Sequence, residues 1–416
     1  MRVFCLFFTL LMFAVPAFGV DLAEMQASAL LKREIIKRYQ VNLEQSVRDM
    51  DKARSGYLPS VDFIYKANQL NEKSLTEDKE SSIFYGAVTY NLFRGFRDKY
   101  QIASAELSSE VEQLHLNGLQ QDIQLDVALI YLEVYERKAN LEVALNNYET
   151  LQKIYQDGKN RLDAGLIDNN ELLRFKVDLD NSELLVDAAR AGLEKSVELL
   201  GRTIGETVTL GQLGFSEFQQ IPAPKDLERN ITLMLTERSE LLVLDKLTDA
   251  SRMAMKVEQS EYYPKVDLVG SYTNYDYDLP NNNGSVNEDE LRAQLVFSIN
   301  LYQGGVTEAA VARSRLETLG LQYDRKELSD TLVTDLRNLH TDFTVNLRNV
   351  DVALVSIEQA EENLRISRLR YNEGLQRESD LLDAVTNLSR AHYNYVTVVQ
   401  TVFSNHFRIM RMVESF

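Results

Sequence analysis

Asp380 and Asp383 are the residues of this chain whose type and spacing best suit chemistry. On a helix, a spacing of three places both carboxylates on one face, about one turn apart. Paired acids can divide the roles of general acid and general base. They can also raise each other's pKa and gather cations. Catalysis would need further groups, and the sequence organises none. His115, His340, His392 and His406 are scattered and form no metal-ligand spacing. Gly211-Gln212-Leu213-Gly214 is an isolated fragment, better read as a turn than as a phosphate-cradling loop. No local motif assembles Ser, His and Asp into a triad. The expectation is therefore a protein with no catalytic residue, no metal and no cofactor.

The elements that carry the two acids belong to a doubled sequence. Phe93-Arg94-Gly95 is echoed by Tyr302-Gln303-Gly304, and Arg161 to Leu166 by Arg370 to Leu375. Both offsets are 209 (304−95 and 374−165), so each half keeps the same 70 residues between its glycines (165−95). Loops tolerate length changes and a continuous rod does not, so one unbroken helix is expected in each half. Such a helix spans roughly 105 Å at about 1.5 Å per residue. Gly165 and Gly374 mark tip turns between antiparallel helices, with Asp168 or Asn169 capping the return helix of the first half and Ser379 that of the second.

Along these helices Leu141, Ala144, Tyr148, Leu151, Tyr155, Gly158 and Leu162 step by three and four. Their counterparts are Val350, Ala353, Ile357, Ala360, Leu364, Ser367 and Tyr371. This is a coiled-coil seam, with small residues that allow close approach.

Strand-like sequence follows two prolines, Pro59 and Pro264. Val61, Phe63, Tyr65 and Ala67 alternate with Asp62, Ile64, Lys66 and Asn68, and Val266, Leu268, Gly270 and Tyr272 with Asp267, Val269, Ser271 and Thr273. The clearest case is Leu291, Ala293, Leu295, Phe297, Ile299 and Leu301; Phe84, Val88, Tyr90 and Leu92 give a noisier strand. One apolar face per ten-residue strand suits a barrel wall with lipid outside and water inside. Four strands cannot close a barrel, whereas three copies would give twelve. A half-buried soluble sheet has the same periodicity.

Met1 to Gly19 has the pattern of a cleaved secretory signal, with Arg2, an apolar run and Ala17-Phe18-Gly19. The one Cys, Cys5, lies within it, so no disulfide is expected in the mature chain. A net charge of −18 disfavours nucleic acid and anionic membrane surfaces as partners. No stretch offers about 20 unbroken apolar residues for a helical span.

These features give an expected organisation: signal peptide 1–19, N-terminal helix 20–56, first β-hairpin 57–94 and first long helical hairpin 95–205. An irregular segment 206–225, a helix 226–262, a second β-hairpin 263–303 and a second long helical hairpin 304–416 complete it. Gly95, Gly304, Pro59 and Pro264 fall where strand sequence meets helix sequence.

Taken together, the chain resembles the TolC-type outer-membrane efflux and secretion channel family. The likeness rests on the signal, Tyr57-Leu58-Pro59-Ser60-Val61, Tyr263-Pro264-Lys265-Val266, Leu301-Tyr302-Gln303-Gly304-Gly305 and both tip segments. The resemblance implies a mainly α fold with a membrane β-barrel. Long antiparallel helical hairpins would form a periplasmic α-barrel, with four strands per protomer completing a trimeric 12-stranded barrel.

The same resemblance implies a passive homotrimeric exit duct in the outer membrane of a Gram-negative bacterium. It would serve a tripartite efflux pump or type I secretion system. Its partners would be a periplasmic membrane-fusion adaptor, an inner-membrane pump of ABC or RND type, and outer-membrane lipid. The family's constriction matches Asp380 and Asp383. Its gate acid matches Glu171, while the usually basic partner position holds Gln376, with Arg377 next; Glu171 is left to pair with Arg377 or Arg174. Glu171 and Arg174 stand where Asp380 and Asp383 stand in the second half. The alternative is a soluble periplasmic coiled-coil adaptor or tether, which would have to bury the Leu291 to Leu301 alternation.

Overall fold

The computed structural model describes residues 20–73, 78–224, 226–276 and 288–416. The expected signal, 1–19, and parts of both strand-connecting loops lie outside the described residues. In chain order the elements are α1 (Leu22–Lys32), α2 (Glu34–Arg54), β1 (Ser60–Gln69), β2 (Glu80–Arg94), α3 (Arg97–Asp163) and α4 (Asn169–Ile204). There follow α5 (Leu227–Glu237), α6 (Ser239–Gln259), β3 (Lys265–Asp276), β4 (Glu288–Ser298), α7 (Val306–Asn372) and α8 (Glu378–Met412). Helices α3 and α7 are each 67 residues long, and their first residues are 209 apart (306−97). Helices α4 and α8 begin 209 apart as well (378−169). The repeat is thus kept element by element.

Residues Ile35–Leu119 and Ile231–Thr334 form one compact unit. It holds a four-stranded antiparallel sheet in the order β1-β2-β3-β4. Residues directly opposite in neighbouring strands share a face. The register Phe63↔Gly86, Gly86↔Tyr272 and Tyr272↔Leu291 puts the expected apolar residues within the four strands on one face, while Ile299 and Leu301 lie beyond the end of β4 at Ser298. The other face is mostly polar, with Lys66, Thr273, Glu290, Arg292 and Gln294 beside Ile64 and Ile83 around a trough of about 340 Å³. The sheet therefore bends around its polar side. Leu92 departs from its expected place: a bulge between Asn91 and Phe93 shifts the register, so Phe93, not Leu92, opposes Val266.

The helices of this unit follow the strand order. Ser46 of α2 donates to Ser109 of α3 at 3.0 Å, and Lys246 of α6 pairs with Glu110 of α3 at 2.5 Å. Arg325 of α7 reaches Asp245 of α6 at 3.1 Å through Nη2. The layer thus runs α2, α3, α6, α7.

The other unit comprises the described parts of Met1–Glu34, with Gln120–Asn230 and Asp335–Phe416. None of the fourteen expected seam residues of α3 and α7 is exposed. Helix α4 repeats the pattern, burying Phe175, Leu179, Ser182, Val186, Leu193, Ser196 and Leu200. After α4, Gly205 adopts φ 80° and stops the helix. Val20 then bridges Leu213 in parallel, its N–H donating to the Gln212 carbonyl at 2.7 Å. Phe218 packs edge-on to Phe403 with centroids 5.0 Å apart. Buried Arg411 is held between Asp122 at 2.6 Å and Glu414 at 2.7 Å.

Neither single helix expected at 20–56 and 226–262 is continuous. Arg33 leaves helical geometry at φ −67°, ψ 121°, and Arg238 at φ −60°, ψ 117°. Arg33 has a local reason: its Nη1 donates at 2.9 Å to the Thr203 carbonyl, one of the last of α4. Those terminal carbonyls lack intrahelical partners.

Candidate functional site

The two tip turns are built alike. Gly165 and Gly374 take φ 71° and 72°, a region open to Gly without steric penalty. Leu166 N–H reaches the Arg161 carbonyl at 2.8 Å, and Leu375 N–H reaches that of Arg370 at 2.8 Å. Inside each lies a second bond, Gly165 to Leu162 at 2.9 Å and Gly374 to Tyr371 at 3.0 Å. This pair of bonds is the Schellman closure, which satisfies carbonyls at the end of α3 and of α7.

Beyond the turns the halves part. Asp168 caps α4, its Oδ1 accepting the Glu171 N–H at 2.9 Å. The N-cap of α8 is Arg377, whose side chain makes no capping hydrogen bond. The expected cap Ser379 lies inside the first turn of α8, because the helix already begins at Glu378.

A cluster of Leu151, Ile154, Phe175, Leu179, Tyr371, Leu381 and Val385 joins all four helices at the tip. Gly158 makes room for it, since a Cβ there would stand 2.8 Å from Phe175 Cδ2. Over this core the polar side chains link one hairpin to the other. The Tyr371 hydroxyl donates to Glu171 Oε1 at 2.5 Å. Arg174 Nη1 donates to Glu378 Oε1 at 2.7 Å. Arg161 lies 5.0 Å over the Tyr371 ring and donates to Asn372 Oδ1 at 2.8 Å. Burial raises the Tyr371 pKa, and the bond to Glu171 raises it further, so the phenol stays a donor.

Within the chain, then, Glu171 meets Tyr371, while Arg174 meets Glu378. Gln376 donates to Ser367 Oγ at 3.4 Å, and Arg377 is exposed. Exposed ion pairs contribute about 0–1 kcal/mol each. Such a set of links holds a shape without locking it.

Asp380 and Asp383 are both exposed and share one face of the first two turns of α8. Neither belongs to a metal-holding cluster, since the described residues contain no suitable group of three. Sequence reasoning missed Asp178 on α4. Its pKa is raised by burial first and by the Asp383 charge second. The signal was available: Glu171, Arg174 and Asp178 recur at three and four, one charged stripe along α4.

At the strand–helix junction Gly95 takes φ 61°, and a Cβ there would meet the Ser260 carbonyl at 2.4 Å. Gly304 repeats the dihedral at φ 62° without the crowding. The next positions differ, Phe96 holding φ 65° where Gly305 holds φ 78°. Pro59 and Pro264 each come after a 3-10 turn, Ser55–Tyr57 and Ser260–Tyr262, and directly precede β1 and β3.

Four antiparallel strands on long paired helical hairpins define the channel fold seen in solved outer-membrane proteins. The outer-membrane channel OprN matches with a TM-score of 0.81 at 16% identity, over 95% of this chain and 90% of that one. VceC from Vibrio cholerae matches at 0.80 with 14% identity, over 94% and 95%. Residues 230–412 match the family model described as Outer membrane efflux protein. Outer membrane protein TolC from Escherichia coli (strain K12) is 19% identical over 399 residues, 90% of this chain and 80% of that protein. The likeness to outer-membrane efflux proteins of TolC type is thus carried by residues 230–412 in sequence and by 95% of the chain in fold.

Proposed function

We propose that this chain is one third of a passive exit duct in the outer membrane, fed by a periplasmic adaptor and an inner-membrane pump. The observation that carries this reading is the two-faced sheet. Its apolar face is exposed on every strand, with Leu291 86%, Leu295 67%, Phe63 61% and Val61 76% accessible. Its polar face lines the trough, and β1 and β4 are unpaired edges. Lipid outside, water inside and edge pairing between copies satisfy all three features together. A soluble adaptor would leave that apolar face in water.

In this reading Asp380 and Asp383 of three copies form two stacked acidic rings at the periplasmic tip. The links Glu171–Tyr371 and Arg174–Glu378 hold the tip closed until a docking partner separates the hairpins. Efflux and type I secretion are both served by such a duct, and no chemical step is required of it.

The test is single-channel recording of the purified protein in planar bilayers, beside detergent-solubilised trimer mobility before and after heating. We expect cation-selective conductance, blocked from the tip side by multivalent cations. Replacing both aspartates by Ala should abolish the block. A monodisperse monomer in detergent-free buffer would sink the channel reading, and unchanged block would sink the ring assignment alone.

A further inference from the structure

A groove of about 730 Å³ lies between α6 and α7 in the sheet-bearing unit. Its apolar lining includes Met253, Leu316 and Leu319, the two leucines exposed, and its cationic lining Arg252, Lys256 and Arg315. No carboxylate lines it, in a chain whose net charge is −18. Two of the cations have partial neighbours: Arg252 Nη1 lies 2.7 Å from Asp249, and Lys256 Nζ sits 5.1 Å over the Tyr100 ring. Arg315 is exposed.

The groove is framed by cross-links that hold the helices apart. Ser251 and Thr318 hydroxyls meet at 2.9 Å, and Arg325 reaches Asp245 at 3.1 Å. Its place in the layer matters. The order α2, α3, α6, α7 leaves α2 and the far flank of α7 as the edges, so a groove between α6 and α7 is not an edge. The reverse flank of α6, carrying Ala254, Val257 and Glu258, borders a different trough of about 380 Å³ that includes Asp49. The two grooves that flank α6 thus differ in charge, with cations lining the one toward α7 and two acids the other.

We propose that the α6–α7 groove binds an organic anion with an apolar body, of drug size. Cavities of about 300–1,000 Å³ suit such ligands, with an apolar lining for the body and a few polar groups for orientation. Lys256 and Arg315 would take the anionic head, and Leu316, Leu319 and Met253 the body. The inference does not depend on what the duct exports.

The chain contains no Trp, so Leu319→Trp installs a single reporter in the groove. We would titrate the full-length assembled protein, in uncharged detergent, with bromonaphthoate and with the uncharged bromonaphthalene methanol. Saturable quenching is expected, at least about tenfold tighter for the anion. Lys256→Gln with Arg315→Gln should weaken it about tenfold, with trimer mobility unchanged. Equal quenching by both probes, or quenching indifferent to the double substitution, would overturn the proposal. So would a reporter already shielded from acrylamide without ligand, because a second copy would then occupy the groove. Met253→Trp repeats the measurement if the first reporter fails to assemble.

Discussion

Asp178 on α4 and Asp383 on α8 place like charges against one another between the two hairpins, and burial keeps Asp178 from full solvation. A carboxyl whose folded pKa is raised destabilises the fold when ionised. That penalty is present above its folded pKa and fades as pH falls toward the unfolded value. Asp178→Asn should therefore raise the unfolding temperature at pH 7. The gain should close as pH drops through the raised folded pKa into the ordinary aspartate range. A gain independent of pH would mean that packing, not charge, is responsible.

The unequal caps predict unequal fraying. Asp168→Ala removes a side-chain cap and should cost about 1 kcal/mol at the start of α4. Arg377→Asp supplies the missing cap and should stabilise the start of α8 by a similar amount. Amide hydrogen exchange in the first turn of each helix reads this directly, as roughly fivefold faster and fivefold slower exchange.

Gly158 and Gly320 offer a matched pair inside the two longest helices. Gly158→Ala drives a Cβ to 2.8 Å from Phe175, an overpacking that should cost about 1–3 kcal/mol. Gly320→Ala meets nothing within 4 Å and should stabilise by about 1 kcal/mol through helix propensity. Thermal unfolding of the two variants should shift in opposite directions.

Tyr371→Phe deletes the donor to Glu171 while keeping the ring in its cluster. The loss should be about 0.5–1.5 kcal/mol of tip closure. If these links close the proposed duct, adding Arg174→Ala should raise the fraction of time the channel is open in bilayers, and each single variant should do so by less. A double variant as silent as the wild type would remove both links from the gate.

The long-range plan of this fold was legible because it rests on lengths. A rod admits no insertion, so the shared offset between Gly95 and Gly304 already defined α3 and α7. The sheet faces were legible from period two until the bulge at Asn91–Phe93, where one extra residue reverses the phase beyond the reach of periodicity. The breaks at Arg33 and Arg238 were not legible, because neither residue is a helix breaker. At Arg33 a tertiary acceptor, the Thr203 carbonyl, draws the side chain. At the tip, the turn glycines were legible by position, whereas the partner of Glu171 was not: Tyr371 holds it, rather than Arg174 or Arg377. Tyr371 was visible only as a seam residue, and Asp178 only as one member of a charged stripe, because its closeness to Asp383, about two hundred residues away, comes from the fold.

The sheet's two edges are different strands, β1 on one side and β4 on the other. Copies joined through them associate head to tail, and head-to-tail association has no built-in stopping point. Only curvature decides whether the row returns to its start or grows as a ribbon. The bulge at Asn91–Phe93 increases local twist and bend, so in the proposed duct it would bear on copy number as well as on shape. Straightening it by deleting Leu92 is thus a route to the wrong number of subunits, or to an open filament, from a chain whose individual elements all still fold.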